Sequence, residues 1–353
     1  MALKDIIKTK ETEGRQEVSE ERARACLSSL RDLVSFYRFY PDIFIDDIKG
    51  PDCIFKFYWY QRMFLRIAMR YKWNYSTYPR AYSKSFLIMM SLMLKCILYP
   101  GTKASVTTAG KEQAAMITLQ KVEEICGLIP ALANEINFER GKTQKSKNSV
   151  KYVFKNGSIL DILAANERSR GQRRNTIVIE EAILIDGDIL NEVIIPTTNV
   201  DRLLADGSIQ RDEIVNKGQS YITSAGWGNT FAYEKLLDTL MASLIEPENY
   251  YVAGGTWEIP VKEGLLEEDF VDKLRAEGSY SDSSFEREYG SVWSRDSGDA
   301  YFSSELFSRH RKLQKAETEY TLKSSKNGYY VLGVDVGRTG CNTEVAVIKV
   351  TPQ

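Results

Sequence analysis

A chain of 353 residues with 43% hydrophobic and 27% charged residues can bury a large core and has room for two domains. Basic residues (47) nearly balance acidic ones (48), and the net charge of −1 excludes a globally basic nucleic-acid coat, so any contact with DNA has to come from local clusters. Five cysteines (Cys26, Cys53, Cys96, Cys126, Cys341), odd in number and without a C-x-x-C pair, fit reduced cytosolic thiols rather than a disulfide framework or zinc site, and a single histidine, His310, argues against His-based chemistry.

The N-terminus is charged from Lys4 through Arg24 and has no apolar core of a secretory signal. From Val18 to Tyr40, Leu27, Leu30, Leu33, Val34 and Tyr37 recur at helical spacing and predict an amphipathic helix, which Pro41 and the turn Asp46–Pro51 separate from the next element. That element, a second helix from Phe57 to Arg70, carries Gln61 near its start. The Gln61 amide either reads the edge of an adenine or sits exposed on a packing helix.

A strand, Lys72 to Tyr78, then runs through Tyr78-Pro79-Arg80-Ala81-Tyr82-Ser83-Lys84-Ser85-Phe86 into an apolar helical segment, Phe86 to Tyr99. A loop between strand and helix points backbone N–H groups and the positive end of the helix dipole at a bound phosphate. In that reading the backbone from Arg80 through Phe86 cradles ATP, Lys84 reaches the β- and γ-phosphates, and the Ser85 hydroxyl faces Mg2+. Tyr78 and Ser83 stand where the pattern G-x-x-x-x-G-K-[ST] has glycines, and the local alternative is a solvated lysine beside a helix-capping serine. The run Phe86 to Tyr99 is too short for a membrane span and contains Lys95, so it reads as a core helix, with no membrane partner.

A strand at Ala104 to Thr108 and a helix at Lys111 to Cys126 come next, an alternation that predicts a parallel sheet with crossover helices. Asn156-Gly157 marks a hairpin between Val150–Phe154 and Ser158–Leu163, with Lys142, Lys145, Lys147 and Lys151 among the basic residues on its approach. Those lysines either meet a DNA backbone or guard a solvated sheet edge. After an arginine-rich loop, residues 166–174, the apolar run Ile177 to Ile179 predicts a strand buried on both faces, ending in Glu180 and Glu181. One acid at such a strand end can hold Mg2+ while the next orients and deprotonates the attacking water.

Gln219 to Thr223 predicts another strand, and Ser224-Ala225-Gly226 beyond it is either a γ-phosphate sensor or a plain turn into the helix Thr230 to Leu244. Tyr250 to Pro260 reads as one more strand, succeeded by helices at Glu267–Glu277, Ser283–Tyr289 and Ser303–Leu313. A polar linker, Lys323 to Gly328, leads to strands at Tyr329–Val336, carrying Asp335, and Thr343–Val350.

In this order the features resemble the large subunit of tailed-phage terminases, the ATP-driven DNA packaging motor, over nearly the whole chain. The resemblance rests on the Gln61 region, the phosphate loop Arg80–Ser85, the strand and helix at Ala104–Ala114, Ser169-Arg170-Gly171, the acidic strand Ile177–Glu181, and Ile222–Gly226 as the coupling motif, Thr223 and Ala225 included. It implies an α/β P-loop ATPase of the ASCE type, with a mainly parallel sheet flanked by helices, over residues 51–320, the C-terminal part forming a lid or linker. A helical segment, 1–50, precedes it, and 321–353 form a linker and the first strands of an RNase H-like nuclease domain.

The resemblance also implies residue roles: Arg80 neutralises charge on the γ-phosphate, Glu181 is the catalytic glutamate, and Glu180 replaces the usual metal-associated aspartate. Arg170 or Arg173 acts in a neighbour's site. Asp335 becomes the first acid of a nuclease that uses a divalent metal pair, Mg2+ or Mn2+, and needs carboxylates that this chain by itself does not supply. The implied reaction is Mg2+-dependent ATP hydrolysis coupled to translocation of double-stranded DNA. Implied partners are that DNA, a portal protein, a small subunit and further copies in a ring, in the host bacterial cytoplasm and transiently on the procapsid. A helicase-like ATPase, and a non-hydrolysing DNA-binding or docking protein with a decayed loop, are the rival readings.

Overall fold

The computed structural model describes residues 20–146, 149–228, 230–278, 280–294, 304–310, 327–337 and 343–351. Lys147 and Cys341 lie outside them. The chain divides into two compact units, Met1–Asp299 and Ala300–Gln353.

Among the described residues the first unit is built on ten strands: β1 (Trp73–Thr77), β2 (Lys103–Thr107), β3 (Gln144–Ser146), β4 (Ser149–Val153), β5 (Ile159–Ile162), β6 (Thr176–Glu180), β7 (Arg202–Leu203), β8 (Ile209–Gln210), β9 (Gly218–Thr223) and β10 (Tyr250–Gly254). Eight of them form one sheet in the order β10-β1-β9-β6-β2-β5-β4-β3, while β7 and β8 make a separate hairpin. Pairing is parallel from β10 to β5, and β4 and β3 close the edge antiparallel.

Every residue of β6 is buried because helices cover both faces of the sheet, which is why the strand reads as an unbroken apolar run. Val178 packs into a cluster with the helix Lys84–Leu98, and Ile177 and Ile179 face the segment around Leu190–Ile194 on the other side. The helix Lys84–Leu98 is buried from Phe86 to Cys96, so it is apolar all round and needs no amphipathic pattern.

Lys95 is inside that helix, buried, with Nζ donating to Thr176 Oγ1 at 3.3 Å. Burial pushes its pKa down from 10.5 to about 8. Between those two values the unfolded chain binds more protons than the folded one, so stability rises with pH across that window. Lys95→Met is expected to raise unfolding stability at pH 7 by about 1–3 kcal/mol, a gain that narrows above pH 8 in urea titrations.

Among the described residues three helices, Glu20–Phe39, Pro41–Ile48 and Trp59–Arg70, precede the sheet. Pro41, expected to separate elements, instead opens a helix, because its fixed φ and missing N–H suit a first turn. Asp42 beside it is fully buried and accepts hydrogen bonds from Arg62 (3.0 Å) and Arg66 (2.8 Å to each carboxylate oxygen). The expected strand Tyr250–Pro260 is also corrected: it ends at Gly254, and Glu258–Lys262 is a short helix. Gly255 just past the strand lets Tyr82 approach, since a Cβ there would lie 2.5 Å from the Tyr82 hydroxyl.

In the second unit, β11 (Tyr329–Asp335) and β12 (Glu344–Val350) pair antiparallel with Asp335 opposite Glu344, and the helix Ser304–His310 leaves His310 exposed. Among the described residues Cys26, Cys53, Cys96 and Cys126 are free, and no helix is long and apolar enough to cross a membrane.

Candidate active site

The loop after β1 takes two left-handed turns of backbone without glycine. Ala81 and Ser83 both adopt the left-handed backbone conformation (φ 62° and 56°), Ser83 at the position where the usual pattern has its second glycine. An L-residue in that region is strained by about 1–2 kcal/mol, so something else has to hold the loop. Three tyrosines do: Tyr82 stacks on Tyr78 at 4.5 Å between ring centroids and packs against Tyr60, also at 4.5 Å. Each such pair contributes about 0.5–1.5 kcal/mol beyond its buried area, which offsets part of the strain. Ser83→Gly is therefore expected to be tolerated, with stability changed by less than about 1 kcal/mol, whereas β-branched Ser83→Val loses more than that in the same denaturation assay.

Beside the loop opens a cleft of about 490 Å³, within the range of small-molecule sites. Phe55, Tyr58, Gln61 and Leu265 line it together with Ala81 to Phe86. Gln61 reaches the cleft, but its amide is engaged: Oε1 accepts from the Tyr58 N–H (3.1 Å) at the helix start, and Nε2 approaches Ser83 Oγ (3.4 Å). The residue thus couples the helix Trp59–Arg70 to the loop.

At the floor of the site the C-terminal ends of three adjacent strands, β1, β9 and β6, meet. Lys84 Nζ donates to the carbonyls of Tyr78 (3.0 Å) and Pro79 (3.1 Å) and to Ser224 Oγ (3.1 Å), and lies 3.4 Å from Glu181 Oε1. Glu181, itself left-handed at φ 50°, accepts from the Ser224 N–H (2.8 Å), Ser224 Oγ (3.0 Å) and Thr223 Oγ1 (3.2 Å). Its side chain therefore joins the phosphate loop to the end of β9. Ala225 is buried next along, and a Cβ on Gly226 would press on Ile183 at 3.0 Å and Trp293 at 3.3 Å.

Ser85 Oγ donates to Glu180 Oε1 at 2.7 Å. Burial raises the Glu180 pKa, only partly countered by the Ser85 hydrogen bond, and its Oε2 is buried without a protein partner. An orphaned carboxylate oxygen beside a serine hydroxyl fits a hard divalent cation that takes few protein oxygens and completes its shell with water and phosphate. Among the described residues no group of three or more His, Cys, Asp or Glu converges as a metal centre.

Other predicted residues lie elsewhere. Arg80 is exposed and does not line the cleft; its Nε donates to Glu288 at 2.7 Å, and its backbone N–H donates to the Glu288 carbonyl at 3.0 Å. Arg170 is exposed and paired with Glu167 and with Glu192 (3.3 Å). Lys142 precedes β3, Lys145 lies on it and Lys151 on β4; Lys145 is held by Glu123 at 3.0 Å. Asp335 belongs to the second unit. Sequence reasoning did not single out Glu288 or Tyr60, for neither has a local signal: each reaches the loop from a distant element.

No protein-family model and no curated protein matches this chain. Among solved structures it is similar to the HK97 bacteriophage large terminase, at 12% identity and a TM-score of 0.51, over 70% of this chain and 54% of that one, so it spans about half of that protein. It is also similar to the large terminase ATPase domain of Thermus phage P74-26 (17% identity, TM-score 0.49, 68% of this chain and 95% of that one). The large terminase of another thermophilic bacteriophage, in complex with ATP-gamma-S, aligns at 10% identity and a TM-score of 0.47, over 68% of this chain and 53% of that one. Such low identities bear on architecture alone, and in architecture the chain shares the α/β fold of the HK97 large terminase over the aligned part.

Proposed function

We propose that this chain is a Mg2+-dependent ATPase whose hydrolysis drives translocation of double-stranded DNA into a procapsid. The observation that carries the reading is the contact among Lys84, Glu181 and Ser224 where three parallel strands end, with Ser85 on Glu180 beside it. Lys84 binds the β- and γ-phosphate oxygens and Glu181 takes a proton from the attacking water. Ser85 and Glu180 would hold Mg2+, which when bound neutralises phosphate charge. Phe55 and Tyr58 flank the base, with Gln61 as a positioning residue. The likeness in fold to the HK97 large terminase supports the assignment to a packaging motor.

Further assignments belong to the same reading. Arg80 reaches the γ-phosphate after leaving Glu288, Arg170 serves a neighbouring copy, and Thr223 to Gly226 pass the state of the nucleotide onward. Lys142, Lys145 and Lys151 meet the DNA backbone, which runs toward portal and small-subunit partners. Asp335 begins a nuclease site. A decayed, non-hydrolysing loop is disfavoured because the strained backbone at Ala81 and Ser83 is still held in place by dedicated aromatic packing. The test is steady-state ATP hydrolysis, with and without double-stranded DNA, by the wild type beside Glu181→Gln and Lys84→Ala.

A further inference from the structure

At the N-terminal ends of β10, β1 and β9, away from the phosphate loop, the sheet carries a second concave site. These strands are adjacent, and their parallel register sets Tyr250, Trp73 and Gln219 in one row. Two residues further along, Tyr75 and Tyr221 stand opposite each other on the same face, their rings stacked at 5.5 Å between centroids. The helix Phe231–Ile245 packs against β10 and β1, and the Tyr75 hydroxyl donates to its Ala232 carbonyl at 2.8 Å. Residues of both helix and sheet line a cavity of about 320 Å³, at the small end of the range for small-molecule sites.

Two features of this lining depart from ordinary packing. Tyr221 is 3% exposed, and its hydroxyl is buried without a hydrogen-bond partner, whereas Tyr75 beside it has one. Burial pushes the Tyr221 pKa up, so the group stays a neutral donor. A buried donor left unpaired in a cavity wall is satisfied when the cavity holds a molecule with an acceptor. The second feature lies on the helix, where Lys235, Asp238, Thr239 and Ala242 line the cavity and recur at i, i+3, i+4 and i+7, on one face. The sheet-facing stripe of a packed helix is ordinarily apolar, and this one brings in an ammonium and a carboxylate. Lys235 is half-buried and Asp238 exposed, and among the described residues neither side chain has an ion pair or hydrogen bond.

Trp73 and Tyr250, stacked at 4.7 Å, add an aromatic wall. We propose that this cavity binds a small zwitterion with a carboxylate and an ammonium on an apolar or aromatic body, the chemical class of a free amino acid. The carboxylate meets Lys235 and the Tyr221 hydroxyl, the ammonium meets Asp238, and the body lies against Trp73 and Tyr250. Both ligand charges sit close together because Lys235 and Asp238 are one helical turn apart. A nucleotide, with several negative charges and no cation, would be repelled by Asp238.

Calorimetric titration of the full chain with phenylalanine tests this, beside phenylpropionate, which lacks the ammonium, and phenethylamine, which lacks the carboxylate. Phenylalanine is expected to bind, and each analogue to bind about tenfold or more weakly. The three probes are compared on the wild-type chain, so that result does not depend on how any variant folds. Lys235→Met and Asp238→Asn are each expected to weaken phenylalanine binding by about the same factor. Tyr221→Phe, which keeps the ring and its stacking, is expected to weaken it about threefold or more. No binding of phenylalanine, equal binding of the three probes, or an affinity indifferent to Lys235→Met and Asp238→Asn overturns the proposal; the cavity would then hold water or an apolar group alone. Displacement of phenylalanine by excess ATP also overturns it, by placing the probe in the nucleotide cleft. No residue of that cleft lines this cavity, so the proposal and the ATPase reading fail independently.

Discussion

Glu181→Gln is expected to lower ATP turnover by about 10²–10⁴-fold while leaving nucleotide binding intact. The substitution keeps the side chain's length and an oxygen that can still accept from the Ser224 N–H, now at 2.8 Å, so the end of β9 stays attached to β6. What it removes is the negative charge beside Lys84 and the group able to take a proton from water. Lys84→Ala acts differently. It deletes the cation proposed to meet the phosphates and also the tether to the Tyr78 and Pro79 carbonyls, so both binding and turnover are expected to fall. Phosphate release together with titration of a fluorescent ATP analogue separates the two. If Glu181→Gln retained turnover within about tenfold of wild type, Glu181 would not be the base.

The second large effect is on stability. Asp42→Ala leaves Arg62 and Arg66 facing a hole where a fully buried carboxylate accepted three hydrogen bonds. Breaking a fully buried pair from one side costs about 3–5 kcal/mol; here both guanidinium groups are partly exposed and can turn to water, so about 2–3 kcal/mol is expected. Burial pushes the Asp42 pKa up, but the hydrogen bonds from Arg66 and Arg62 outweigh it and the net shift is downward. A depressed carboxylate contributes stability that is complete above its unfolded pKa near 4 and is lost as pH falls through the lower folded value. Urea midpoints of wild type and Asp42→Ala should therefore converge in acid and separate at neutral pH. A constant separation down to the lowest workable pH would assign the loss to packing.

Much of the architecture was legible because both-face burial writes itself as apolar runs. Ile177 to Ile179 and the helix behind Lys84 were recognisable from composition, and the position of the two acids at the end of β6 came from where that run stops. That a loop joins β1 to the helix Lys84–Leu98 was legible from the strand and helix patterns on either side of it, not from glycine. Its support was not, since Tyr60, Tyr78 and Tyr82 come together only when a helix packs on the loop. Gln61 looked like an exposed amide or a base reader, and the structure adds a helix-start contact that no pattern of Ser, Thr or Asp announced. Arg80 meets Glu288 across 208 residues of chain, beyond any local signal. Pro41 was misread because the same fixed φ that breaks a helix also starts one. The irregular turns from Ala182 to Thr198 have no period to detect.

With Lys84 as the proposed phosphate ligand, its contacts make nucleotide uptake a substitution reaction. Its ammonium is already surrounded by two loop carbonyls, a serine hydroxyl and a carboxylate, so an arriving phosphate must displace ligands that the protein supplies to itself. Part of the electrostatic attraction is thereby exchanged rather than created. On that reading the enthalpy of uptake is expected to be modest, and a ligand without enough anionic charge to outcompete the loop's own oxygens is expected to leave the lysine where it is.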